Sequence, residues 1–329
     1  MSMMASKVAR HKEHILYGNG KKILKTGLIY GANAGGKSNF IKAVDFSRDI
    51  ILDGIDEVDL NRKYFRVSKD GYKTPGVFEY RLITQAGNEY SYGIVISYAA
   101  KEILSEWLIR IEKNGAEDKI RWEMYLEDFG KNISPSLKKK SLLSDIAERS
   151  SNKSGVFKEL SDVYSWFQNI LKYFETGIES VESKLGQMEF DKIFEGLPKE
   201  HAEKLKIRIS NDIEDKPVLF KINNHIYSLR KDEDGTIITT KMVQNHGNEQ
   251  DLFEYTDESD GTKRLFDLIP LFYEHHGNRV IFIDEIDRSL HTNLTRRFLE
   301  LFYKLTENDT CQIIGCLIYR RGCPSAAWL

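Results

Sequence analysis

The stretch Gly31-Ala-Asn-Ala-Gly-Gly-Lys-Ser38 constrains this chain more than any other part of it. It fits the pattern G-x-x-x-x-G-K-[ST] without a mismatch. Glycines at 31, 35 and 36 permit backbone angles closed to other residues and let main chain approach a ligand closely. Consecutive N–H groups at the start of a helix then form a cradle for an anion. In this reading the backbone of Gly31, Asn33, Ala34, Gly35, Gly36 and Asn39 wraps a polyphosphate. The Lys37 ammonium reaches its β- and γ-phosphates, and the Ser38 hydroxyl ligates Mg²⁺. The flanks agree. Leu28-Ile29-Tyr30 predicts a buried strand, and Asn39 to Leu52 predicts a helix with Phe40, Val44, Ile50 and Ile51 on its apolar side.

A second motif lies near the other end. Arg279-Val-Ile-Phe-Ile-Asp284-Glu285 is an apolar run that closes on two acids. Asp284 is suited to hold Mg²⁺, directly or through water. Glu285 is suited to orient an attacking water or take its proton. Ligands of α/β sheets sit beyond the C-terminal ends of the strands, so both acids are expected near the glycine loop. Most of the chain lies between Lys37 and Asp284, so a large insertion separates the two motifs. Shortly before the acids, Ser259-Asp260-Gly261-Thr262 opens an amphipathic helix. Two readings are open for it: a second anion-binding turn, or a helix cap supplied by Ser259 or Asp260.

The rest of the chain fits an α/β protein of about two domains, or one domain with a large insertion. Residues 64–113 look β-rich, with a turn at Gln85-Ala-Gly-Asn88 and a hairpin partner over Tyr90 to Tyr98. Over 141–208, Leu142, Leu143, Ile146, Trp166, Phe167, Ile170, Leu171 and Phe174 fall at helical spacing and suggest an inserted helical lobe. Residues 217–243 turn β-like around Asp234-Gly235. Helices follow over 262–276 and 290–305, with strands over 278–283 and 312–319. The expected divisions are an N-terminal half carrying the glycine loop over 1–130, a helical insertion over 131–215 and a C-terminal half carrying the Ser259 turn and the acids over 216–329.

Lys and Arg number 48 against 50 Asp and Glu, so no general basic coat is present. No apolar run reaches the roughly 18 residues of a membrane span. The start has no signal-peptide core, so a cytoplasmic protein without membrane contact is the default. Residues 1–26 are basic and read as a solvated leader, as does Lys138-Lys139-Lys140. The three cysteines (Cys311, Cys316, Cys323) lack a C-x-x-C pair, and none of the eight histidines has a metal partner at diagnostic spacing. Trp107, Trp122 and Trp166 read as core anchors. Gln85 is assigned no role.

The loop Gly31 to Asn39 resembles those of the P-loop NTPases known as ABC-type ATPase heads, in the SMC and RecF class. Ser259-Asp-Gly-Thr262 is similar to their signature motif. Ile283-Asp-Glu-Ile-Asp287 is similar to their Walker B motif and D-loop. More narrowly, Ala5-Ser-Lys, His11-Lys-Glu-His14, Gly31-Ala-Asn-Ala, Glu258-Ser-Asp-Gly-Thr-Lys-Arg-Leu265 and Ser289-Leu-His291 resemble the AAA/OLD-like ATP-binding proteins of abortive infection and phage defence. This resemblance implies ATP and Mg²⁺ as cofactors and a site shared by two protomers. Ser259 and Gly261 of one copy would close on the ATP held by the other, with Asp287 at the seam. It implies a homodimer or higher oligomer joined by ATP, working as sensor or motor beside a separate nuclease or toxin effector. A RecF-like repair ATPase that binds DNA directly is one alternative. A nucleotide-binding scaffold without hydrolysis is another. The family's opening strand would precede Met1, and its switch histidine has no counterpart after His291. From these two departures we expect a chain shortened at both ends, with weak turnover.

Overall fold

The computed structural model of the chain describes residues 1–6, 11–84, 86–111, 117–119, 160–184, 189–213, 218–248, 251–273 and 279–317. In chain order, a hairpin of β1 (Ile15–Gly18) and β2 (Lys21–Leu24) leads into β3 (Thr26–Ile29), and the glycine loop then opens helix α1 (Lys37–Asp53). The antiparallel strands β4 (Gly76–Ile83), β5 (Glu89–Ser97), β6 (Glu102–Ile111) and β7 (Glu117–Lys119) come next. They are followed by α2 (Leu160–Tyr173), β8 (Ser180–Ser183), α3 (Lys199–Asp212), β9 (Val218–Ile222), β10 (His225–Lys231), β11 (Ile237–Asn245) and β12 (Leu252–Phe253). The chain closes with α4 (Asp260–Leu268), α5 (Pro270–Tyr273), β13 (Val280–Ile283), α6 (Thr292–Leu305) and β14 (Gln312–Cys316). Leu142, Leu143, Ile146, Lys138 to Lys140, Trp122, Gln85, His275, His276, Cys323 and the segment after Leu317 lie outside the described residues.

The sheet that carries the motifs is parallel and three-stranded, in the order β13-β14-β3. Ile313 pairs with Thr26 on one side and with Ile281 on the other. Parallel strands are apolar runs rather than alternating ones, and both Val280-Ile-Phe-Ile283 and Ile313-Ile314 have that form, although only the middle strand is buried throughout that run and Val280 of β13 is exposed. The glycine-loop strand and the acid strand therefore end at the same edge of the sheet, with β14 between them. Helix α1 covers two sheets at once. Its Phe40 ring lies 6.3 Å from that of Phe282 in the parallel sheet. Its Phe46 and Ile50 are buried with Ile94, Ile96 and Ile103 of the antiparallel sheet. Each such side chain stabilises the fold by about 1.5–3 kcal/mol. α1 starts at Lys37 rather than Asn39, directly after Gly36.

The helical spacing over 131–215 predicts an inserted lobe. In the part of that stretch the structure describes, α2 and β8 instead join the C-terminal half. Phe167, Ile170 and Leu171 of α2, with Phe174 just after it, share one buried cluster with Leu265, Phe266, Ile283, Phe298 and Phe302. β8 pairs antiparallel with β11, Met242 opposite Ser183. The reason is that one amphipathic helix cannot bury its apolar face alone and takes the nearest complementary surface. α3 packs separately, its Ala202 and Ile209 against Ile222, Tyr227 and Leu229. The helix expected over 262–276 divides at Pro270, which has no N–H to continue it. Residues 64–75 form turns, and the β-rich stretch starts at Gly76, just after Pro75.

One buried cation ties the start of the parallel sheet to α6. Lys25 is 2% exposed, and its Nζ donates to the Thr306 carbonyl at 2.5 Å and the Glu307 carbonyl at 3.3 Å. These are acceptors at the helix's C-terminal end, where the partial negative charge of the backbone favours an ammonium. Burial pushes the Lys25 pKa down, and Asp309, Cys311 and Glu307 oppose that shift. No described helix is long and apolar enough to cross a membrane.

Candidate functional site

β3 delivers the glycine loop to the C-terminal edge of the parallel sheet. The turn is closed by the Gly35 N–H donating to the Ala32 carbonyl at 3.0 Å. Two positions need what they have. A Cβ on Gly35 would stand 2.9 Å from the Ala32 carbonyl oxygen, and Gly36 has φ +84°, a left-handed angle that L side chains resist. Ala34 is also left-handed, at φ 62°. The first α1 hydrogen bond runs from the Phe40 N–H to the Gly36 carbonyl. The N–H groups of Lys37, Ser38 and Asn39 thus have no acceptor within the helix, and no acid stands in its first turn to supply one. Three donors at the positive end of a 17-residue helix make an anion seat. The Lys37 ammonium is folded back on the loop, donating to the carbonyls of Gly31 at 2.7 Å and Ala32 at 2.9 Å.

β13 brings the acids to the same edge. The Ser38 hydroxyl donates to Asp284 Oδ1 at 3.1 Å, joining two motifs at opposite ends of the chain. A hydroxyl beside a carboxylate is an all-oxygen donor pair of the kind a hard cation such as Mg²⁺ prefers, so the residues fit that ion. Glu285 follows in a left-handed conformation, φ 50°. Its carboxylate is 46% exposed and stands 4.0 Å from the Arg288 guanidinium. Asp287 is buried.

Two further residues hold this arrangement, and the sequence alone assigns a role to neither. Arg264, on α4, donates from one guanidinium nitrogen to the Asp284 carbonyl at 3.1 Å and the Glu285 carbonyl at 2.9 Å. Arg264 looks like any cation on a helix until its reach is known. Cys316, the last residue of β14, donates its thiol to the Lys37 carbonyl at 3.4 Å and accepts the Ile286 N–H on its own carbonyl at 2.9 Å. Burial pushes that thiol's pKa up, Asp284 adds to the shift, and Lys37 opposes it, so the sulfur keeps the proton it donates.

The Ser259 turn lies elsewhere. Ser259 caps α4, its Oγ accepting the Thr262 N–H at 3.1 Å, as the simpler of the two readings expects. Gly261 approaches the acid-strand turn, where a Cβ would stand 3.3 Å from the Ser289 carbonyl oxygen. Ser259, Gly261 and Thr262 line a cavity of about 630 Å³ together with Asn293, Arg296 and Arg297, and none of residues 31–39 is part of its lining. The structure thus brings together Lys37, Ser38, Asp284 and Glu285, and sets Ser259 and Gly261 on a different opening. Trp166 lies against the main buried cluster. Trp107 fills the space over Gly93, where a Cβ would meet its ring at 1.9 Å.

Residues 28–314 match the model of a family described as AAA domain, putative AbiEii toxin, Type IV TA system. The match spans most of the chain and takes in the glycine loop, the Ser259 turn and both acids. No curated protein matches the chain. The chain belongs to this AAA family of P-loop ATPases, which is linked to abortive infection.

Proposed function

We propose that the chain is an ATP-hydrolysing head of the ABC type, in which ATP is held between two copies. In this reading it is the sensor or motor of an abortive-infection defence system and acts beside a separate toxin or nuclease. The observation that carries the proposal is the 3.1 Å contact between the Ser38 hydroxyl and Asp284 Oδ1, at the mouth of a glycine loop with unpaired N–H donors. The N–H groups of Lys37, Ser38 and Asn39 bind the phosphates, and Lys37 exchanges its two loop carbonyls for phosphate oxygens. Ser38 and Asp284 hold Mg²⁺, which when bound offsets charge on the β- and γ-phosphate oxygens. Glu285, beside the seat and half open to water, orients the attacking water and takes its proton.

Sharing ATP between two copies is supported by the separation of the two anion-friendly turns. Ser259 and Gly261 line a cavity whose lining includes none of residues 31–39; in this reading they meet the γ-phosphate held by another copy, with Asp287 near the seam. ATP then favours the assembled state by mass action, and hydrolysis removes that bias. The test is a size measurement by light scattering, with and without ATP–Mg²⁺, on wild type, Lys37→Ala and Glu285→Gln. Wild type is expected to assemble transiently, Glu285→Gln to assemble durably, and Lys37→Ala to stay single. The same size for all three proteins under both conditions would refute the shared site.

A further inference from the structure

Three side chains that nucleotide binding does not use converge where the chain enters the β1–β2 hairpin. The donor atoms of His11, Glu13 and His14 all lie within 4.8 Å of one another. Glu13 Oε1 is 3.1 Å from His11 Nδ1 and 3.7 Å from His14 Nε2. Two ligands bound to one ion at about 2.0–2.1 Å in tetrahedral geometry stand about 3.4 Å apart. The two separations bracket that spacing. Two imidazole nitrogens and one carboxylate oxygen suit a borderline first-row divalent cation and leave a fourth position for water.

The backbone and a neighbouring ring hold the group in place. His11 is left-handed, φ 62°, and its carbonyl accepts the His14 N–H at 3.1 Å. The His14 carbonyl accepts the Lys25 N–H at 2.8 Å. The His14 ring lies flat on Tyr303 of α6, centroids 3.8 Å apart and planes within 8°. The nearest buried cation, Lys25, has its ammonium on the Thr306 and Glu307 carbonyls. The His11 and His14 rings are 18° from parallel. A metal accepts each lone pair in the plane of its ring, so closing on one ion requires the exposed His11 ring to turn about Cβ–Cγ while Tyr303 keeps His14 fixed.

We propose that His11, Glu13 and His14 form a surface site for a borderline divalent cation, with Zn²⁺ the reference ion, in the turn that leads into β1 and rests on α6 through the His14 ring. The residues ahead of the turn lie along β2, where Met4 bridges to Ile23 and the Ala5 N–H donates to the Lys22 carbonyl. The site is at the N-terminal end of β3, and the phosphate loop is at the other. The competing explanation is a plain hydrogen-bonded ion pair on an exposed surface.

Titration of the metal-stripped full chain with Zn²⁺ and Co²⁺, in excess Mg²⁺ to fill the nucleotide seat, decides between them. Calorimetry should give one equivalent of Zn²⁺, and Co²⁺ should give the intense visible bands of a tetrahedral nitrogen–oxygen site. His11→Ala and Glu13→Gln, both at exposed positions, should each weaken binding by roughly tenfold or more. His14→Ala also strips a ring from Tyr303, so the comparison rests on His11→Ala and Glu13→Gln. Wild-type affinity in both of these variants would overturn the proposal. So would a thiolate-to-cobalt band, which would move the metal to the cysteines, or weak octahedral bands alone.

Discussion

Replacing Arg264 by alanine tests whether the acid strand is held in place from behind. The guanidinium makes two hydrogen bonds, 3.1 and 2.9 Å long, to the carbonyls of Asp284 and Glu285. A hydrogen bond from a charged donor contributes about 1.5–3 kcal/mol. Arg264 is half-buried, so water replaces part of the loss and the lower end applies to each bond, giving about 3 kcal/mol together. At about 1.4 kcal/mol per tenfold, the local opening of residues 284–289 should become about 100-fold more frequent. Hydrogen–deuterium exchange read on peptides across 280–290 measures this directly. Arg264→Lys retains the charge and loses the planar fork, and should fall between wild type and alanine. Mg²⁺-dependent nucleotide affinity should drop with the exchange protection, because a mobile Asp284 no longer meets Ser38. Protection within threefold of wild type in Arg264→Ala would refute the reasoning.

Two other outcomes follow from the same geometry. Gly36→Ala forces an L side chain to φ +84°, at a cost of about 1–2 kcal/mol, whereas Gly31→Ala meets no atom within 4 Å and no left-handed backbone. Fluorescent-nucleotide binding should therefore fall sharply for Gly36→Ala and little for Gly31→Ala, and equal losses would count against the backbone account. Glu254 is held below its ordinary pKa of 4.5 chiefly by the Lys241 ammonium, with Lys184 adding to the shift. The stabilisation from that pairing is present above the unfolded carboxylate's pKa and is lost as pH falls through the lower folded one. In urea melts over a pH series, the stability gap between wild type and Lys241→Met should close on the acid side of 4.5, and a gap that stays constant with pH would be the contrary result.

The parts of this molecule legible from sequence are those whose chemistry is local. Gly31 to Ser38 carries its own backbone requirements, and the apolar runs before it and before Asp284 have the composition of buried parallel strands. The Pro270 break also has a local signal, a residue without an N–H, which the helix expected over 262–276 passes over. What could not be read were choices between distant partners. Ser180–Ser183 is short and polar and has no strand signature of its own, yet it pairs with β11. Nothing along the chain says that α2 packs on Phe266 rather than within a separate lobe. Arg264 and Cys316 act through carbonyls, and every residue has a carbonyl, so their partners leave no trace in composition or spacing. His14 reads as part of a solvated leader because the ring it stacks on, Tyr303, stands far along the chain.

Cys316 is attached to both halves of the site. Its sulfur is bonded to the first residue of α1 and its carbonyl to the residue after the two acids. A bulky adduct on that sulfur would wedge both sides of the sheet edge at once. The middle strand thus meets the phosphate side and the acid turn at one residue, a second link between them beside the Ser38–Asp284 bond.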